Sequence, residues 1–237
     1  MASFVWNRDF EEAYRNPYEY AAQDQFVREA KKILSRLCKV LKKYNLHFCR
    51  KDCSLQKAAW MLHNDSISAL REAIALLAKG RHEFVGRIFR DVWESCQLVE
   101  YFLSGSPQSQ RDLKKWFENE VITHGTIRDQ LKKAGKNVEA EQRKQRHREF
   151  SKFTHRTYRA LLKSYSLGKS GMMVYNNYLK YPTAPHTISA FYAILGEMIF
   201  KALRSMKMSK FISENEAKKI LRESLEKVTA PRKFSPS

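Results

Sequence analysis

Glycine and proline are scarce, 8 and 6 among 237 residues. A sheet fold with many tight hairpins needs more of both, so a mainly helical chain is favoured. Cysteine is scarce too: Cys38, Cys49, Cys53 and Cys96 are the whole set. Free thiols in a reducing compartment are the simplest reading of so few. No basic stretch followed by a long apolar run opens the chain, so no secretory signal is read there. The most apolar segment, Ile188 to Leu203, is interrupted by Glu197 and Lys201 and falls short of the roughly 20 residues that span a bilayer. The expectation is a soluble, cytoplasmic protein that does not engage a membrane. Acidic residues are also few, 25 against 44 Lys+Arg, which leaves a formal net charge of +19. Apolar residues, at 43%, are numerous enough to exclude a wholly disordered chain.

The charge is not spread evenly. Residues 1–30 hold six acids against three Arg, whereas Lys31 to Lys57 holds nine Lys/Arg against Asp52 alone. A second block, Lys132 to Lys163, holds eleven Lys/Arg against Glu139, Glu141 and Glu149. Two such concentrations make a field that attracts a polyanion, and nucleic acid is the commonest one. The residues expected to meet it are Lys39, Lys42 and Lys43 in the first block, and Lys132, Lys133, Lys136, Arg143, Lys144, Arg146, Arg156 and Arg159 in the second. An acidic partner or inhibitor protein would suit the same surface. Aromatics interleave with these charges (Tyr44, Phe48, Phe150, Phe153, Tyr158), and their helical spacing suits a core as well as base stacking. His47, Cys49, Cys53 and His63 lie close in sequence, and Cys49-x3-Cys53 has the spacing of a zinc pair. No second pair follows at suitable spacing, so neither a metal nor any other cofactor is assigned.

Helical periodicity runs through most of the chain. Ser54 is a good N-cap for a stripe of Leu55, Ala58, Ala59, Leu62, Leu70, Ala73, Ile74 and Leu77, stopped at Gly80. Val85, Phe89, Val92, Cys96, Val99 and Phe102 continue in a second helix, closed by Ser104-Gly105-Ser106-Pro107. A third helix is predicted from Leu113 to about Ala134, and a fourth from Val138 with its stripe running to Tyr165. Another follows Pro185, and outer helices cover Tyr18 to Tyr44 and Glu214 to Val228. The fold expected is all-α, an antiparallel bundle of about six to seven helices. Its parts are an acidic-then-basic helical extension at 1–54, a core bundle at 55–207, a C-terminal helix at 208–228 and a free tail at 229–237.

Familiar catalytic signatures are missing. Gly168-Lys169-Ser170 resembles the end of a phosphate-binding loop, but Lys163 stands where its first glycine belongs and no strand precedes it. The chemistry-bearing constellation is Arg148-Glu149-Phe150-Ser151-Lys152-Phe153-Thr154-His155. Seven residues at about 100° each nearly close two turns, so Arg148 and His155 fall on one stripe with Ser151 between them. His155 has the near-neutral pKa of a general acid or base, and the Arg148 fork of donors suits charge growing on phosphate oxygens. A plainer reading, a histidine and an arginine on a wetted face of a very basic protein, stands beside it.

This Arg148-x6-His155 pair late in a helical pattern resembles the HEPN superfamily of all-α domains. The family's motif is an Arg and a His separated by four to six residues, and many members are endoribonucleases. The likeness spans about residues 55–205 in architecture and one motif in chemistry; Glu149 stands where the family commonly has Asn. It implies a metal-independent endoribonuclease, service in the toxin or antiviral systems where members often act, and a homodimer whose two motifs face each other. Ser151, Lys152 and Thr154 would be neighbours able to hold phosphate. RNA is then expected rather than DNA, since attack comes from the 2′-hydroxyl. Other polar groups have two readings each. Arg87, Arg90, Asp91 and Glu94 share a helix face, as ion pairs or, for Arg90 and Glu94, as support for His155. His124 falls on the inward side of its helix, as a core histidine or as a substitute for His155. The alternative to an enzyme is a basic helical module that binds nucleic acid or an acidic protein without turnover.

Overall fold

A computed structural model describes residues 19–79, 81–154, 165–167, 173–175 and 185–226, with side chains within 25–79, 81, 84–152 and 191–226. Eight helices lie among these residues: α1 (Glu19–Lys42), α2 (Leu55–Ala78), α3 (His82–Leu103), α4 (Pro107–Phe117), α5 (His124–Lys133), α6 (Asn137–Thr154), α7 (Pro185–Met208) and α8 (Glu214–Ser224). Between α6 and α7, β1 (Tyr165–Leu167) pairs antiparallel with β2 (Met173–Tyr175), Ser166 opposite Val174. Among the described residues the architecture is an all-α bundle with this small ribbon. No described helix is long and apolar enough to cross a membrane.

The starts of the helices follow from local chemistry. The Ser54 hydroxyl accepts from the Lys57 amide at 3.2 Å, and Asp52 accepts in turn from the Ser54 amide and hydroxyl. Lys57 closes the same turn by donating to the carbonyls of Cys49, Arg50 and Asp52. Ser106 caps α4 with Pro107 at its first position, where a missing amide costs nothing. Ser213 and Glu216 satisfy each other's backbone amides in a capping box at the start of α8.

Helix α2 lies against α1, α3 and α7, and one core joins them. Phe26, Ile33, Leu34, Leu37 and Leu41 of α1 enter it beside Leu70 and Ile74 of α2, Phe89 and Val92 of α3, and Leu195, Met198 and Met206 of α7. Ala217 and Ile220 of α8 complete it. A smaller cluster of Ala58, Tyr101, Phe102 and Ile127, with Trp116 and Phe117 against it, holds α4 and α5 to the end of the bundle.

Two sequence expectations are corrected. The helix predicted from Leu113 to Ala134 is two: α4 stops at Phe117, Asn119 takes a left-handed φ of 68°, and Thr123 caps a fresh start for α5. Val121, which that single helix would have included, is 85% exposed in the connection. Tyr165, expected as the end of a long fourth helix, lies instead in β1. Gly80, the segment Gly168 to Gly171 and the tail 229–237 lie outside the described residues.

Helix α6 is unusual in what fastens it. Of its described side chains only Ala140 and Phe150 are buried apolar groups. Charge holds it instead. Arg143, its side chain 12% exposed, bonds Glu100 of α3 at 2.8 Å and Glu139 at 2.6 Å. Lys201 of α7 reaches the other oxygen of Glu100 at 3.3 Å. One turn on, Arg146 bridges Glu149 and Glu197 of α7. A helix so polar all round is stable only through such partners.

Candidate functional site

Where α3, the start of α5 and α6 converge, a cleft of about 630 Å³ opens. Helix α3 contributes Arg90, Glu94 and Gln97, which its 3.6-residue period places along one face. The first turn of α5 contributes His124 and Gly125, with Arg128 one turn later. His147 enters from α6, one turn after the clamped Arg143.

Two histidines form the centre. The rings of His124 and His147 stack with centroids 4.4 Å apart and planes within 6°. Trp93, buried on α3, leans on both, at 5.2 and 6.4 Å. Nε2 of His147 lies 3.4 Å from Glu94 Oε1 and 3.4 Å from Arg90 Nη2, while Arg90 Nε donates to the same Glu94 oxygen at 2.8 Å. A protonated Nε2 can therefore donate to Glu94, and an unprotonated one can accept from Arg90. Ser151 Oγ stands 3.5 Å from Nδ1 of His147. His124 differs in character. Burial pushes its pKa down to about 4, and the charges of His147, Arg128 and Arg143 push the same way. The Arg143 backbone opposes that shift without making a well-formed hydrogen bond, and both ring nitrogens are buried without a partner. At neutral pH the His124 ring is thus an uncharged platform. A charge on His147 meets no like charge across the stack.

The residues singled out from sequence separate into groups. Arg90, Glu94 and His124 meet in the cleft. Arg148 is exposed on α6, next in sequence to His147. His155, Arg156 and Arg159 lie outside the described residues, as does the side chain of Thr154, the last residue of α6. Ser151 is half-buried beside His147, and Lys152 is exposed. Among the basic residues, Lys39, Lys42 and Lys43 are exposed at the end of α1, and Lys132, Lys133 and Lys136 at and just beyond the end of α5. Arg143, Lys144 and Arg146 are each engaged by carboxylates: Glu100 and Glu139, Glu141, and Glu149 and Glu197. Among the described residues, no three His, Cys, Asp or Glu side chains are grouped to hold a metal ion. His63 is buried on Ser209, while Cys49 and Cys53 are exposed.

Sequence reasoning missed His147. A phase for α6 set by Phe150 and Phe153 leaves His147 unremarked. The sequence Ala140, Arg143, His147, Phe150 runs at spacings of three, four and three, the period of a helix face turned inward. The chain matches no family model, no curated protein and no solved structure.

Proposed function

We propose that the protein binds RNA and cleaves it, without a metal, in the cleft between α3, α5 and α6. The observation that carries this reading is the parallel stack of His147 on a neutral His124, flanked by Arg90 and Arg128. Cleavage of an RNA phosphodiester needs a base for the 2′-hydroxyl, a positive environment for the phosphorus oxygens and an acid for the leaving 5′-oxygen. His147 takes the 2′-hydroxyl proton on Nε2, and Glu94 at 3.4 Å accepts a hydrogen bond from the imidazolium that results. The 2′-oxygen bonds to phosphorus as the bond to the 5′-oxygen breaks. The imidazolium returns its proton to that oxygen. The products are a 2′,3′-cyclic phosphate and a 5′-hydroxyl, with no redox change and no water consumed. Arg90 and Arg128 stabilise the charge on the phosphorane. DNA lacks the attacking group and is inert.

The test is incubation of purified protein with total RNA, tRNA and matched DNA in the presence of EDTA, beside the His147→Ala and His155→Ala proteins. The expected outcome is cleavage of RNA alone, lost by roughly 10²–10⁴-fold in His147→Ala, the span a positioned acid–base group contributes. Loss in His155→Ala with full activity in His147→Ala would return the chemistry to the HEPN-like pair with Arg148. A second reading is favoured by the exposed lysines at the ends of α1 and α5: a module that holds nucleic acid or an acidic protein without turnover. RNA bound but left intact by the wild-type protein selects it.

A further inference from the structure

We propose that this cleft is a nucleotide subsite, in which the amino terminus of α5 and Arg128 take a phosphate and Gln97 takes an N–H from the base edge. The proposal deepens the ribonuclease reading and rests on it for the class of polymer. The site itself is read by binding, without turnover.

Three features of the cleft point to this ligand. The first turn of α5 is a ready anion site. Thr123 uses its hydroxyl on the Thr126 amide at 3.2 Å, and no acidic side chain stands in the first turn. The amides before Thr126 have no intrahelical partner, and the residues that carry them, His124 and Gly125, line the cleft. Arg128 folds back over the same turn. A Cβ built on Gly125 would lie 3.5 Å from Thr123 Oγ1 and 4.0 Å from Arg128 Nη2, so the guanidinium stands over the amide end of its own helix. A cation beside the positive end of a helix is unfavourable unless an anion sits with them. Nε of Arg128 is buried without a partner, which leaves a donor for that anion.

Gln97 is the independent observation. It lines the same cleft, is 1% exposed, and its Oε1 has no hydrogen-bond partner. A buried acceptor left so is costly, and a ligand N–H removes the cost. The apolar side chains of Leu98 and Ile122 in the same cleft suit the faces of a base, and about 630 Å³ lies within the usual range for such ligands.

The experiment is calorimetric titration at neutral pH and low salt with AMP, ribose 5-phosphate, inorganic phosphate and a 2′-O-methyl adenosine hexamer, which cannot be cleaved from its own 2′-position. AMP is expected to bind roughly tenfold tighter than ribose 5-phosphate, the factor one good hydrogen bond supplies. Arg128→Gln should weaken all four ligands by roughly tenfold, because it removes a charge-assisted hydrogen bond. Gln97→Met should erase the advantage of AMP and leave ribose 5-phosphate unchanged, which also reports that the variant is folded. N6,N6-dimethyl-AMP should lose the same advantage on the unaltered protein. A hexamer that binds tighter than AMP assigns the subsite to a strand, and equal affinities assign it to the free nucleotide. AMP binding no tighter than inorganic phosphate, a dimethylated ligand equal to AMP, or an Arg128→Gln protein with unchanged affinity overturns the proposal. Protein that binds AMP in this pattern but cleaves no RNA overturns the ribonuclease reading alone. Protein that cleaves RNA but holds no AMP overturns the subsite alone.

Discussion

His63 sits on the inward face of α2, with Nε2 2.8 Å from the Ser209 hydroxyl just beyond α7. That hydroxyl is also within reach of the carbonyls of Ser205 and Met206, and with its proton directed there it accepts from Nε2. Burial pushes the pKa down to about 4, from about 6.5 in the unfolded chain. Between those values the unfolded chain binds more protons than the folded one, so stability rises with pH across the window and is lost as pH falls through it. The loss attributable to His63 is on the order of 3 kcal/mol. His124, whose pKa is likewise pushed down to about 4, acts in the same direction. Melting temperatures taken from pH 7 to pH 4 should fall steeply in the wild type. They should fall distinctly less in His63→Gln, which keeps a donor for Ser209 and cannot be charged. Parallel curves for the two proteins would assign the acid sensitivity elsewhere.

At the scale of the element, α6 gives the sharpest expectation. Glu100 is 13% exposed and receives both Arg143 and Lys201. Removing its charge leaves Lys201 without its carboxylate and Arg143 with Glu139 alone, and Glu100→Gln should cost about 3 kcal/mol, as broken buried pairs do. Lys144→Ala, which loses a pair open to solvent, should cost under about 1 kcal/mol. Denaturant melts measure the totals, and amide exchange across 137–152 should quicken in Glu100→Gln more than in the helices of the core. The sequence made the core helices legible because Leu, Ile and Phe at three- and four-residue spacings and the serine caps at 54, 106 and 213 are written locally. It concealed the break at Asn119, since the apolar residues on both sides keep a helical phase while the backbone reverses at a left-handed residue. His147 was concealed differently. A helix held by ion pairs to distant segments carries no apolar stripe from which its inward face can be read. Arg90, Glu94 and His124 were visible as polar groups on helix faces, but that they share one cleft depends on packing between elements far apart in sequence.

For the whole molecule, the net charge of +19 is the dominant long-range property. Carboxylates engage Arg143, Lys144 and Arg146, which directs the available field towards the exposed lysines at the ends of α1 and α5. Binding of a single-stranded RNA should weaken log-linearly with salt. Replacing Lys132, Lys133 and Lys136 together by Ala should lower the slope by about 2, at roughly 0.7 for each phosphate no longer neutralised. Replacing Lys144 should hardly move it. Filter-binding at four salt concentrations separates these outcomes, and an unchanged slope in the triple variant would place the RNA on the α1 side.

The large core closes through α1, α2, α3, α7 and α8, with Phe150 the sole contribution of α6 to it among the described side chains. The wall that brings His147 to the cleft is fastened to that core by Phe150 and by the ion pairs of Arg143 and Arg146 with Glu100 and Glu197. Outside Ala140, Arg143, Arg146 and Phe150, selection can rewrite the polar residues of 137–152 at little cost to that core. Related sequences should accordingly vary most in chemistry where they vary least in architecture, with new substrates reached by exchanging the polar letters of one helix.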